Sequence, residues 1–250
     1  MRIFLTLLRR ELGALFLSLT GYVIIAAVTF IVGLTFVVLI NNLGTDPSPM
    51  PVTELFYRTY CFWLIVLLIT PVITMRLFAL EKFTGTFETL MTTPVRDIQV
   101  VAAKFTAALT FYMITWLPML ACLFIVRHFT NQPNALDAGT MGGIYVGIFF
   151  VGCLFISLGC FASSLTRSQV SAAMVSFVLG MALFLLALWA DAITTPKGLL
   201  QQVLSYFKMF DQMHDFARGM VDTRSVVFYT SLTFLFLFLT LRIVEGRRWK

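Results

Sequence analysis

The sequence predicts an all-α integral membrane protein of six transmembrane helices, and three observations carry that prediction. Six stretches free of Asp, Glu, Lys and Arg are long enough to cross a bilayer, which takes about 20 apolar residues. They fall within Leu12–Thr45, Thr59–Met75, Phe105–Val126, Ala138–Thr166, Ser168–Ala190 and Ser225–Leu241. The composition is 59% hydrophobic and 12% charged, with a mean hydropathy of +0.91, whereas a soluble domain carries about 25% charged residues. Finally, Lys and Arg are distributed unevenly between alternate loops, as the insertion rule for short loops requires.

The spans are expected near residues 21–40, 59–76, 103–126, 140–163, 169–190 and 225–242, in a single domain covering 1–250. With both termini inside, 12 of the 18 Lys and Arg residues are cytoplasmic, among them Arg9, Arg10, Arg76, Lys82, Arg96, Lys104 and Arg167. Four of the outer six (Lys197, Lys208, Arg218 and Arg224) lie in one long loop, where the charge rule is weakest.

Before the first span, Arg2–Ser18 reads as an amphipathic helix. Phe4, Leu8, Leu12 and Leu15 share one face, and Arg2, Arg9 and Arg10 can reach lipid headgroups. The same stretch also suits a simple extension of the first span. A signal peptide is not expected, because the opening apolar run Ile3–Leu8 is short and Arg9, Arg10 and Glu11 follow it. The first outer loop, Asn41–Arg58, holds Pro47, Pro49 and Pro51 and reads as irregular. Pro71 and Pro118 are expected to kink the second and third spans, since each removes a backbone donor.

The longest charged interval between spans on the inner side is Arg76–Lys104. Gly85 can start a short helix, with Thr86 and Glu88 in its first turn, where a carboxylate suits the positive end of the helix dipole. Phe87, Leu90 and Met91 would form its apolar face. Pro94 disfavours helix at Thr93 and ends the element, and Asp97 is placed to cap the next helix. Such a helix can dock a partner, or it can be an ordinary connector capping the bundle.

The fourth span is rich in glycine. Gly143 and Gly147 form a G-x-x-x-G, with Gly152 and Gly159 beyond it, which permits close helix packing within the chain or between chains. The turn Ser163–Gln169 then returns the chain to the fifth span. In the outer loop Asp191–Arg224, Leu199, Val203, Phe207, Phe210, Met213, Phe216 and Met220 recur at helical spacing. They read as one or two amphipathic helices at the outer membrane surface.

The chemistry-bearing residues exclude several classes. Cys61, Cys122, Cys153 and Cys160 sit in apolar segments without C-x-x-C spacing and read as small core residues. His128 and His214 are far apart and form no haem or metal constellation. Hydroxyl residues are many, but none has a visible base, so a hydrolase is disfavoured. The apolar centres of the spans hold no ionisable residue, which argues against an ion-coupled carrier. The basic residues are dispersed rather than clustered, so nucleic acid is not implied.

The order E-K-x-x-G-T-x-E-x-L-x-x-x-P-V, from Glu81 to Val95, resembles the cytoplasmic loop of ABC-2 type permeases. The closest resemblance is to those of the gliding-motility and copper-maturation type. The R-R-E-L at Arg9–Leu12, the Ser163–Gln169 turn, the Phe216–Tyr229 junction and the last span with its basic tail are similar to the same family. The resemblance implies a membrane permease subunit of an ABC exporter, in a bacterial-type inner membrane with both termini cytoplasmic. Glu81, Lys82, Gly85, Thr86, Glu88, Leu90, Pro94 and Arg96 would shape the coupling contact, and Arg9, Arg10 and Glu11 would belong to an interfacial helix. It also implies short helices that dip into the outer leaflet before the last span.

The chain has no G-x-x-x-x-G-K-[ST], so ATP and Mg would reside on a separate ATP-binding subunit. No cofactor, metal or catalytic residue is expected in this chain. A second permease half, identical or related, is implied, together with membrane lipid; an outer accessory subunit is compatible. The alternative is an ATPase-driven scaffold or mechanotransmission subunit without a translocation pathway. The substrate is not legible.

Overall fold

The computed structural model describes residues 2–45, 56–57, 60–86, 96–130, 138–192 and 206–248. Helices account for nearly all of them, with no strand among the described residues. They are α1 (Arg2–Phe16), α2 (Leu19–Thr45), α3 (Tyr60–Thr74), α4 (Ala79–Phe83), α5 (Asp97–Thr115), α6 (Leu117–Thr130), α7 (Ala138–Leu165), α8 (Gln169–Ala192), α9 (Met209–Ala217) and α10 (Thr223–Arg248). Six helical segments are long and apolar enough to cross a membrane: α2, α3 with α4, α5 with α6, α7, α8 and α10. In lipid every backbone polar group needs an internal partner, which only a helix supplies along one segment.

Helix α7 is the central post. Of its most apolar window 72% is buried, against 17% for α2 and 22% each for α8 and α10. It packs against α10, α8, α3, α5 and α9. Its glycines permit this. A Cβ on Gly159 would lie 2.2 Å from Thr74 Oγ1, and one on Gly152 would lie 2.4 Å from the Tyr112 ring. On Gly143 it would meet the Phe216 carbonyl at 2.6 Å. The G-x-x-x-G therefore serves packing within the chain: Gly143 and Gly147 receive α9 through Phe216, Gly219 and Met213. Small residues stabilise helix contacts in lipid because dispersion grows as backbones approach.

Helix α9 falls in the stretch expected to form amphipathic helices before the last span, and its apolar side is buried in the bundle. Met209, Met213, Phe216 and Ala217 are buried. Phe210 packs on Trp63 and Phe184, with ring centroids 5.0 and 5.6 Å away. Its apolar stripe, Met209, Met213, Phe216 and Ala217 at i, i+4, i+7 and i+8, packs among α3, α7 and α8. A Schellman motif ends it: the Met220 amide donates to the Asp215 carbonyl and the Gly219 amide to that of Phe216, at 2.9 and 3.0 Å. Gly219 supplies the left-handed residue, with φ +80°. Leu199 and Val203 lie outside the described residues.

The two prolines act differently. Pro71 lies inside an uninterrupted α3. Pro118 interrupts the third span at a single residue, Trp116, between α5 and α6. It has no N–H for the Ile114 carbonyl, and its ring crowds that turn. The Trp116 carbonyl accepts the Met119 amide at 3.2 Å and the Tyr145 hydroxyl at 3.1 Å, so the break is hydrogen-bonded. Around it gather Phe62, Trp63, Tyr112 and Trp116, all buried. The outward faces of α2, α8 and α10 are apolar and exposed, with Phe30, Val178 and Phe234 each more than 60% accessible, as lipid contact requires. Pro47, Pro49 and Pro51 lie outside the described residues.

Candidate functional site

The end of the bundle that carries the Arg76–Lys104 loop contains most of the polar chemistry. Helix α3 ends at Thr74, and after a turn the chain forms α4, a helix absent from the sequence prediction. Its N-cap residue is Phe78, whose side chain cannot accept the orphan amides. Ser163, near the end of α7, does so instead: its Oγ accepts the Phe78 and Ala79 amides, both at 3.1 Å. The capping residue thus comes from another helix, 85 positions away from Phe78. Lys82 Nζ donates to the Ser164 carbonyl, where a cation also suits the negative end of α7.

At its other end α4 is closed by Thr84, Gly85 and Thr86. The Thr84 amide and hydroxyl both donate to the Leu80 carbonyl, at 2.9 and 3.0 Å. Gly85 has φ +74°. It therefore ends α4 as a left-handed residue; the helix expected to start from it lies, beyond Thr86, outside the described residues. Phe83, Thr84, Gly85 and Thr86 are exposed, Phe83 at 76%. Glu88, Leu90 and Pro94, with the rest of the expected coupling helix, lie outside the described residues. The described residues resume at Arg96, which is exposed. Arg96 is the N-cap of α5 and Asp97 its first residue. Asp97 thus sits one position inside the cap expected of it, in the first turn, where an acidic residue still suits the positive helix end.

Beneath α4 lies a cluster of four charges. Lys104 Nζ is 3.1 Å from Glu11 Oε1 and 2.9 Å from Glu81 Oε1. Arg10 donates to the same two oxygens, at 2.7 and 2.9 Å. The Lys104 side chain is 2% exposed, against 51% for Arg10. It also lies over the Phe78 ring, 5.5 Å from the centroid. Two cations facing two carboxylates make the cluster neutral, the condition under which ions tolerate burial. Helix α1 brings Arg10 and Glu11 because its half-buried residues Phe4, Leu8, Leu12 and Leu15 turn inward as one stripe. Alongside, Arg76 donates to Thr20 Oγ1 at 2.7 Å and ties the turn after α3 to the start of α2.

The structure thus brings together Arg10, Glu11 and Glu81, and anchors Lys82. Arg9 and Arg96 stay exposed and outside the cluster. Sequence reasoning missed Lys104 as a site residue and counted it only as a loop charge. The available signal was its position: a lone charge inside the apolar run Val100–Phe105, which needs an anion once buried. Ser163 and Ser164 were singled out only as part of a turn. Among the described residues no group of His, Cys, Asp or Glu could hold a metal ion.

The match to known families agrees with this architecture. The family model described as ABC-2 family transporter protein matches residues 9–244, from the middle of α1 to the last turns of α10. No curated protein matches the chain. The matched region takes in all six apolar helices as well as the charge cluster and the serine cap. The chain therefore belongs to the ABC-2 family of transporter proteins, as a multi-pass membrane permease subunit.

Proposed function

We propose that this chain is one permease half of an ABC exporter, moved by a separate ATP-binding subunit that docks on the Arg76–Lys104 loop. One observation carries the reading: the base of that loop is fixed to three other elements. Serine hydroxyl and backbone contacts hold α4 on α7, and buried charges hold it to α1 and α5. A push on the loop therefore reaches the central post and the amphipathic helix without being absorbed by slack, since packed interiors transmit strain. The loop end would face the cytoplasm of a bacterial-type inner membrane, with both termini on that side. ATP and Mg would belong to the partner. Glu81 and Lys82 would set the base of the contact, Gly85, Thr86 and Arg96 its exposed rim, and Glu88, Leu90 and Pro94 the coupling helix itself. A second permease half, identical or related, would complete the membrane unit. The gliding-motility and copper-maturation resemblance remains a proposal about subtype.

Native mass spectrometry of the assembly purified through this chain tests the proposal. The expected result is two permease halves with two ATP-binding subunits. A functional preparation in which the chain is a stable monomer, with no ATP-binding protein, would overturn it.

A further inference from the structure

Two sequence motifs 70 residues apart meet on a single ammonium group. Glu11 belongs to α1, Glu81 to α4 and Lys104 to α5, and one carboxylate oxygen of each acid lies within 3.1 Å of Lys104 Nζ. Helix α1 packs along α5, whereas α4 packs against α7 and α8. The polar link between α1 and the loop base is this cluster. We infer that Lys104 is a positioning residue that makes the amphipathic helix and the loop base one mechanical unit, so that a displacement of the loop is passed to α1.

The physical grounds are burial and direction. Apolar contacts between helices are non-directional and let one helix slide over another. A buried ammonium shared by two carboxylates fixes a register, because any slip leaves a buried charge unpaired. Arg10 bridges the same oxygens, but it is half in water, where such a pair is screened and weak. The sequence can hold Lys104 at this depth only while Glu11 and Glu81 are both present, which explains why R-R-E-L and Glu81-Lys82 belong to one arrangement. The consequence for transport rests on the permease reading above; the link itself is a property of this chain alone.

The test separates linking from folding. The variant Glu11→Gln, Glu81→Gln, Lys104→Met removes the three buried charges together and leaves only Arg10, which is half in water and can be solvated; neutral replacement of buried ions often preserves stability. Spin labels are placed at Leu5 on α1 and Phe83 on α4, both exposed, with Cys61 and Cys122 replaced, in the full chain in nanodiscs. Pulsed electron resonance reads the distance distribution. The native cluster should give one narrow distance. In the neutral variant the width should roughly double, as for a locally freed element, while the thermal midpoint holds. Lys104→Arg should stay narrow. An unchanged narrow distance in the neutral variant would overturn the inference, as would broadening in Lys104→Arg. If the neutral variant does not fold, the pair Glu81→Gln, Lys104→Gln is read by the same criterion. In the complex, permease-dependent ATP hydrolysis should fall roughly tenfold in the neutral variant with its subunits retained. Absence of any ATP-binding subunit from the wild type would count against the permease reading and leave the distance result standing.

Discussion

Ser163 Oγ receives the backbone amide of Ala79 at 3.1 Å, so the last turn of one span caps the first turn of the helix that leads into the loop. It accepts the Phe78 amide at the same distance. Ser163→Ala leaves two buried donors to find other partners. An N-cap loss costs about 0.5–2 kcal/mol, and an unsatisfied buried donor about 1–3 kcal/mol. We expect a destabilisation of about 2 kcal/mol by those figures, with faster hydrogen exchange confined to the peptide containing Leu77–Thr84. Exchange by mass spectrometry checks this. Unchanged protection there would mean that Ser163 does not hold α4.

Gly159 of the central post packs directly against Thr74 of α3. A Cβ at 159 would fall 2.2 Å from Thr74 Oγ1 and 2.7 Å from Thr74 Cβ. Gly159→Ala should therefore destabilise by about 1–3 kcal/mol, the cost of overpacking. Thr74→Ala removes the nearest atom and should recover part of that loss, so the two changes will not add. Thermal unfolding in detergent of the four members of the cycle measures it. Strict additivity would contradict the contact.

Orientation has its own test. Thr86 is exposed just beyond α4, on the side proposed to be cytoplasmic. With Cys61 and Cys122 replaced, Thr86→Cys should react with an impermeant maleimide only after cells are opened. Reaction in intact cells would invert the topology.

The spans were legible because lipid leaves a chain little choice: apolar runs of this length must be helical. The face of α1 was legible too, since Phe4, Leu8, Leu12 and Leu15 repeat at helical spacing and are half-buried together. Helix α4 was not, because Phe78 is a poor cap and the residue that caps it lies on another helix. No local window contains both. Lys104 was hidden for a similar reason. Near the end of an apolar run it reads as a flank charge, and only the fold brings Glu11 and Glu81 to it. The break at Trp116 was half visible: Pro118 predicted a kink, but whether proline bends or breaks a helix depends on partners for the freed carbonyls. At this interruption Tyr145, 29 residues away, donates to the Trp116 carbonyl, a contact no local window contains. The embedded place of α9 depended on glycines 143 and 147 facing it, which its own periodicity cannot report.

The central claim is that ATP hydrolysis by a partner acts through the loop between α4 and α5. Glu88 lies in that loop, in the first turn of the expected coupling helix. A carboxylate there contributes about 0.3–1 kcal/mol at the helix start, and a lost charge partner across an interface costs about 2–5 kcal/mol. The most direct measurement compares ATP hydrolysis by the reconstituted complex with wild-type chain, Glu88→Gln and Glu88→Arg, scoring subunit retention in parallel. The account predicts that Glu88→Arg loses bound ATP-binding subunit or permease-dependent hydrolysis while membrane insertion survives, with Glu88→Gln intermediate. Wild-type hydrolysis and wild-type subunit retention in Glu88→Arg would contradict it.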